Sequence, residues 1–160
     1  PTGNENVAIG SYSLDAATTA TQNTAVGSYA GSAATTASYS TFIGKNAGDA
    51  LTTGNQNTAL GYSTLSASDD GNNNVAVGNA ALGTGNCGDN NTAVGFNALV
   101  ATTSGYNTAV GAAADALTDG ERITIQHLDM RLWVMVTVVM TIPLLVRAHL
   151  QLLLATLTQQ

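Results

Sequence analysis

The chain has 160 residues and a formal net charge of −6 at pH 7, enough for one domain. Its four Lys and Arg residues form no basic cluster, which argues against nucleic acid as a partner. The single cysteine, Cys87, excludes an internal disulfide.

These averages join two compositions. Residues 1–121 hold all 17 glycines and all five tyrosines, with nine acidic residues against one lysine, Lys45, for a net charge of −8. Residues 122–160 hold the only tryptophan, all three methionines, both histidines and three of the four basic residues. Acidic charge keeps a long surface soluble and repels nucleic acid. The chain opens on Pro1, inside a repeat, without the basic start or apolar core of a signal peptide. It reads as a piece of something longer.

From the first residues onward one motif recurs, Asn-(Thr/Val)-Ala-(Val/Ile/Leu)-Gly. Its closing glycines are Gly10, Gly27, Gly44, Gly61, Gly78, Gly95 and Gly111, five steps of 17 residues and a last step of 16. The leading position is Asn6, Asn23, Ser40, Asn57, Asn74, Asn91 and Asn107, and the central one is Ala8, Ala25, Phe42, Ala59, Ala76, Ala93 and Ala109. A period of this kind marks a chain built by stacking one small unit.

Each tetrad between Asn and the next turn reads as a strand of about four residues, since Thr, Val and Ile favour extended backbone. Alternation puts the branched first and third residues on one face and Ala and Gly on the other. The expected arrangement has the branched residues in the core and the flat Ala/Gly face outward, open to close approach of another chain. On that arrangement Phe42 disturbs the flat face locally. Asparagine before the strand suits a turn and, once coils stack, a ladder. Glycine after it suits a tight bend.

A second short strand is expected around Tyr12–Leu14, Tyr62–Leu65 and Phe96–Leu99. The rest of each period is Ala, Thr, Ser, Asp and Gly, which reads as turn. The longer stretches Ser66–Asp70 and Gly83–Gly88 are expected to project as side loops. Parallel pairing of successive tetrads, roughly 4.8 Å apart, gives an all-β parallel roll or solenoid of about seven coils over residues 1–121. One or two medium apolar residues per coil bury little area against roughly 1–2 kcal/mol of backbone entropy per residue. Association of identical chains is therefore expected.

The tetrads in Asn57-Thr58-Ala59-Leu60-Gly61, Asn74-Val75-Ala76-Val77-Gly78 and Asn91-Thr92-Ala93-Val94-Gly95-Phe96-Asn97-Ala98-Leu99 resemble the head repeats of trimeric autotransporter adhesins. They are equally similar to repeats of phage tail fibres and of surface proteins ending in a self-cleaving intramolecular chaperone. The resemblance spans about residues 3–120. It implies a left-handed parallel β-roll, three chains about one axis, and display outside the cell, on a bacterial outer-membrane surface or a virion tail. It also implies a host matrix protein or a surface glycan as partner. No stalk, anchor or chaperone segment is visible, so adhesin and tail fibre both stay open.

After residue 121 the motif stops. Closing glycines are due near 128 and 145 and neither is present. Leu132 to Val146 is a 15-residue apolar run, interrupted by Pro143 and shorter than the roughly 18–20 residues of a spanning helix. A buried or interfacial helix and a membrane anchor are two readings of it. A third fits better: the repeat read in a displaced frame. The last base of the Trp133 codon with the first two of Val134 spells glycine, as do Met135 with Val136. Met140 with Thr141 spells aspartate. With permitted codon choices the displaced frame contains Asn-Asn-Thr-Ala-Phe-Gly and later Asp-Asn-Thr-Ala-Val-Gly. Their closing glycines straddle 128–129 and 145–146, in phase with the 17-residue repeat. On this reading 122–160 is a continuation of the repeats with no evolved function of its own, although Leu, Met and Gln favour a helix.

No catalytic, cofactor or metal site emerges. His127 and His149 lie 22 residues apart in the tail, with no acidic or thiol companions at ligand spacing. The repeat region has no histidine to activate Cys87. Asp69-Asp70 and Asp89 lack the periodicity of calcium-binding rolls and read as solvated loops. Gly83-x-Gly85-x-x-Gly88 has dinucleotide-loop spacing without a strand-and-helix context. One further reading depends on which face is outward: exposed, Thr24, Thr41, Thr58, Thr92 and Thr108 would form a flat ladder suited to ice or another ordered surface.

Overall fold

The computed structural model describes residues 3–114 and the backbone of one further strand at 124–126. Eight three-residue strands lie along the chain: β1 (Val7–Ile9), β2 (Thr24–Val26), β3 (Thr41–Ile43), β4 (Thr58–Leu60), β5 (Val75–Val77), β6 (Thr92–Val94), β7 (Thr108–Val110) and β8 (Thr124–Gln126). They pair parallel in strict chain order, with Ala25 opposite Phe42, Ala59 opposite Ala76, and Ala93 opposite Ala109. This is a parallel β-solenoid with one rung per repeat, as the 17-residue period implies. The ladder runs on to β8, past residue 121 where the composition changes. The helical and displaced-frame readings of the tail, and both histidines, lie outside the described residues. Among the described residues no helix is long and apolar enough to cross a membrane.

The coil has one strand, not two. Tyr12 and Leu14 have φ of 58° and 49°, Ser63 and Leu65 49° and 52°, Asn97 and Leu99 54° and 48°. A left-handed residue at every second position curls the chain, so the expected second strand is a turn. A third left-handed site precedes the leading Asn or Ser, at Gln22, Tyr39, Gln56 and their equivalents. Such φ values disfavour most side chains. The stacked coils hold them by backbone bonds: Tyr29 N–H donates to Ser11 O at 2.9 Å, Gln56 N–H to Ser38 O at 2.9 Å, and Leu65 N–H to Ala81 O at 3.0 Å.

The strand faces are the reverse of the expected ones. Ala25, Phe42, Ala59, Ala76, Ala93 and Ala109 are fully buried, whereas Ile9, Ile43, Leu60 and Val110 are exposed. Ala8, in the end rung with a neighbour on one side only, is exposed. The reason is the width of the coil. Leu14, Leu65, Leu82 and Leu99 enter the interior from the turn facing the sheet and join the strand alanines in one cluster. With leucine already in the slot, only a methyl group fits from the strand.

Phe42 proves the rule. It points inward, not onto an outer face, and the leucine place is glycine in its own coil (Gly48) and in the one before it (Gly31). A Cβ on Gly31 would lie 2.7 Å from Phe42 Cδ2, and one on Gly48 2.5 Å from Phe42 Cε1. One phenyl ring thus occupies the space that two leucines fill elsewhere.

The stretches Ser66–Asp70 and Gly83–Gly88 are parts of the coil wall and not projecting loops. Ser68 and Cys87 are buried, Ser66 Oγ donates to Gly83 O at 2.9 Å and Asp69 N–H donates to Asn86 Oδ1 at 3.0 Å.

The leading asparagines form a buried ladder. Asn23 N–H donates to Asn6 Oδ1 at 2.9 Å, Asn74 N–H to Asn57 Oδ1 at 2.9 Å, Asn91 N–H to Asn74 Oδ1 at 2.8 Å and Asn107 N–H to Asn91 Oδ1 at 2.9 Å. Ser40 carries the same rung with its hydroxyl, accepting from Asn57 N–H at 3.1 Å. The amides of Asn6, Asn23 and Asn57 each donate to a carbonyl across the coil, Ala20, Ala37 and Gly71, at 2.7 Å. The matching carbonyl for Asn74 is Gly88's. Asn91 Nδ2 takes it at 3.0 Å, and Asn74 Nδ2 is buried without a partner. The two sites should therefore differ on mutation. Asn57→Ala orphans Asn74 N–H and Gly71 O and should cost about 3 kcal/mol. Asn74→Ala orphans Asn91 N–H but removes an unpaired amide, and should cost about 1–2 kcal/mol. Denaturant unfolding of the two variants measures the gap.

Candidate interaction surface

Because β2 to β7 turn their central residue inward, alanine in all but β3, both flanking residues face out. In-register pairing stacks them into two columns. One runs Val7, Thr24, Thr41, Thr58, Val75, Thr92, Thr108; the other Ile9, Val26, Ile43, Leu60, Val77, Val94, Val110. No charged side chain interrupts either column. Seven rungs at the usual strand spacing make the stripe about 30 Å long. An uncharged band of this length is uncommon on a soluble monomer.

The glycines that close each tetrad bound one side of the stripe. Their φ lies between 127° and 137°, a region open to glycine, and the Cβ of Gly10 would fall 2.5 Å from Gly27 O. Aromatic side chains rim the band: Tyr12, Tyr29, Tyr62 and Phe96 follow the glycines, and Tyr39 and Tyr106 precede the strands, all exposed. An apolar centre with an aromatic, polar rim is the anatomy of a protein interface.

The other candidate residues fall elsewhere. The central alanines from Ala25 to Ala109 belong to the core and offer no contact stripe. Cys87 is buried, its Sγ 3.3 Å from Ser68 Oγ, and burial pushes the thiol's pKa up, which leaves it a weak nucleophile. Asp89 is an acceptor in a second, outer ladder, taking Asn72 N–H at 2.8 Å, above Asn72 taking Asn55 N–H at 2.9 Å and Asn55 taking Ser38 N–H at 2.9 Å. Asp69 accepts from the Thr52 hydroxyl. Among the described residues no three His, Cys, Asp or Glu side chains gather within reach of one ion. Burial raises the Asp49 pKa, and its Oδ1 has no partner. Gly83 and Gly85 sit in the wall, buried.

The two-column stripe escaped the sequence reading because alternation defines two faces without saying which is inward. The signal that carries the answer is the pairing of Phe42 with Gly31 and Gly48, a large residue opposite two missing leucines. No protein-family model, curated protein or solved structure matches the chain. The fold and the stripe thus define the class, a parallel β-solenoid of about 17-residue coils with one uncharged face of threonine and aliphatic side chains turned outward.

Proposed function

We propose that this chain is a length of the head or shaft of a surface adhesin, a non-enzymatic solenoid assembled from three identical chains. The observation that carries the reading is the uncharged double column from Val7 and Ile9 to Thr108 and Val110, exposed or half-buried on the single chain. Identical chains offer each other the same apolar surface, and burying it supplies stability that an alanine-lined interior lacks. The number three comes from the resemblance of the tetrads to trimeric adhesin heads. Display outside the cell, on a bacterial surface or a virion tail, comes from the same resemblance, as does a host matrix protein or glycan as the attached partner. A phage tail fibre uses the same solenoid as a shaft, so the two roles differ in the domains joined to it.

Light scattering of the purified chain should give the mass of three protomers. Ile43→Lys with Val77→Lys places charges mid-stripe, and the mass should fall to that of one. Retention of the assembled mass in this variant would sink the proposed contact. Attachment is read from binding of the assembled chain to arrayed matrix proteins and glycans, which the dissociated variant should lose through lost avidity.

A second reading rests on the outward threonines. Thr24, Thr41 and Thr58 stack in register, as do Thr92 and Thr108, on one side of the sheet, the regular array that an ice-binding surface requires. Val7 and Val75 break the column, and its companion column is wholly aliphatic, which favours a protein partner. Inhibition of ice recrystallisation by the wild type, lost in Thr41→Lys with Thr58→Lys, would reverse that preference.

A further inference from the structure

Tyr12 and Tyr29 hold the same place in successive coils, two residues past Gly10 and Gly27. Their rings stack with centroids 4.9 Å apart and planes 20° from parallel. That separation is close to the roughly 4.8 Å between paired strands, so the stack is the coil spacing expressed in side chains. The backbone fixes it. Both residues are left-handed, with φ of 58° and 60°, and Tyr29 N–H donates to Ser11 O at 2.9 Å. Other coils place Asn46, Ser63, Ala80, Asn97 and Ala113 there, small or amide side chains, asparagine being the type for which this conformation is cheaper. The tyrosines stay about half exposed, at 55% and 44%. Tyr39, Tyr62 and Tyr106 are also exposed, yet this is the one stacked ring pair among the described residues.

We propose that Tyr12 and Tyr29 form an oxidative cross-linking site that joins two adjacent coils as dityrosine. The co-reactant is a one-electron oxidant such as a peroxidase with hydrogen peroxide. The oxidant removes one electron from each phenol, and each Oη proton leaves to solvent. The two neutral radicals couple ortho carbon to ortho carbon, forming one C–C bond. The hydrogens on the joined carbons then move to the two Oη atoms and restore both rings. The net change is the loss of two hydrogen atoms and the gain of one covalent staple across a rung held until then by hydrogen bonds. The inference stands on ring geometry alone and is independent of what the solenoid attaches to.

The test treats the full chain with peroxidase and hydrogen peroxide. Expected is a product of single-chain mass less two hydrogens, with blue biphenol fluorescence. Cleavage beside Asp15, which lies between the two tyrosines, should leave their peptides joined. Tyr12→Phe and Tyr29→Phe should each abolish this product, while Tyr39→Phe, Tyr62→Phe and Tyr106→Phe leave its yield unchanged. Unfolding in denaturant before oxidation should abolish it as well. A link between two chains, a link through another tyrosine, or an equal yield from unfolded chain would overturn the proposal.

Discussion

Phe42→Ala is expected to destabilise the solenoid by about 3–5 kcal/mol, as large-to-small substitutions of buried aromatics do. The ring is fully buried and faces Gly31 and Gly48, so its removal leaves a gap that only a partial shift of the Leu14 tip beside Gly31 can narrow. The repair is specific. Leu14, Leu65, Leu82 and Leu99 already hold leucine at the equivalent place with left-handed φ, so the backbone at Gly31 and Gly48 accepts one. In the wild type, Gly31→Leu or Gly48→Leu drives a Cβ into the phenyl ring and should destabilise. Combined with Phe42→Ala, the same substitutions should recover most of the loss, to within about 1–2 kcal/mol of wild type. Thermal or denaturant unfolding of the single, double and triple variants measures this coupling. Simple additivity would show that Phe42 and the two glycines do not share one space.

Gly61→Ala is the second large effect, about 3 kcal/mol or more. Two causes combine at this position. The φ of 137° is one that side chains rarely adopt. The added Cβ would also lie 2.8 Å from the Gly78 carbonyl carbon, backbone that cannot turn aside. Asn97→Ala is the control. Asn97 has a φ of 54°, and alanine occupies its equivalents at Ala80 and Ala113, so that change should cost under about 1 kcal/mol. Circular dichroism melts of both variants separate the two classes of position.

The period, the positions of β1 to β7 and their in-register parallel pairing were legible in the sequence, because Asn, Ala and Gly return at fixed intervals; β8 lies past the last motif and was not. The asparagine ladder was legible for the same reason: a carboxamide repeated once per coil finds its copy one rung away. The inside was not legible from residue size. Leucine, four places past Gly10, Gly61, Gly78 and Gly95, looked like the end of a second strand, but its left-handed backbone turns it into the slot. That single conformation reverses the strand, since alanine then suffices beneath it and Val, Ile and Leu go outward. The wall segments misled for a related reason. Ser68 and Cys87 lie in stretches whose composition reads as loop, yet rung-to-rung bonds fold them into the coil.

The reversal moves the candidate surface from the alanine column to the branched columns on either side of it. Its most direct test is thiol footprinting of the assembled chain in a Cys87→Ser background. Leu60→Cys reports on the stripe and Thr36→Cys on the exposed wall. With the stripe buried between copies, the Leu60→Cys thiol is protected from maleimide while Thr36→Cys reacts freely, and adding Ile43→Lys with Val77→Lys makes the two react alike. Equal reactivity of both thiols in the chain without those lysines would contradict burial of the stripe between copies.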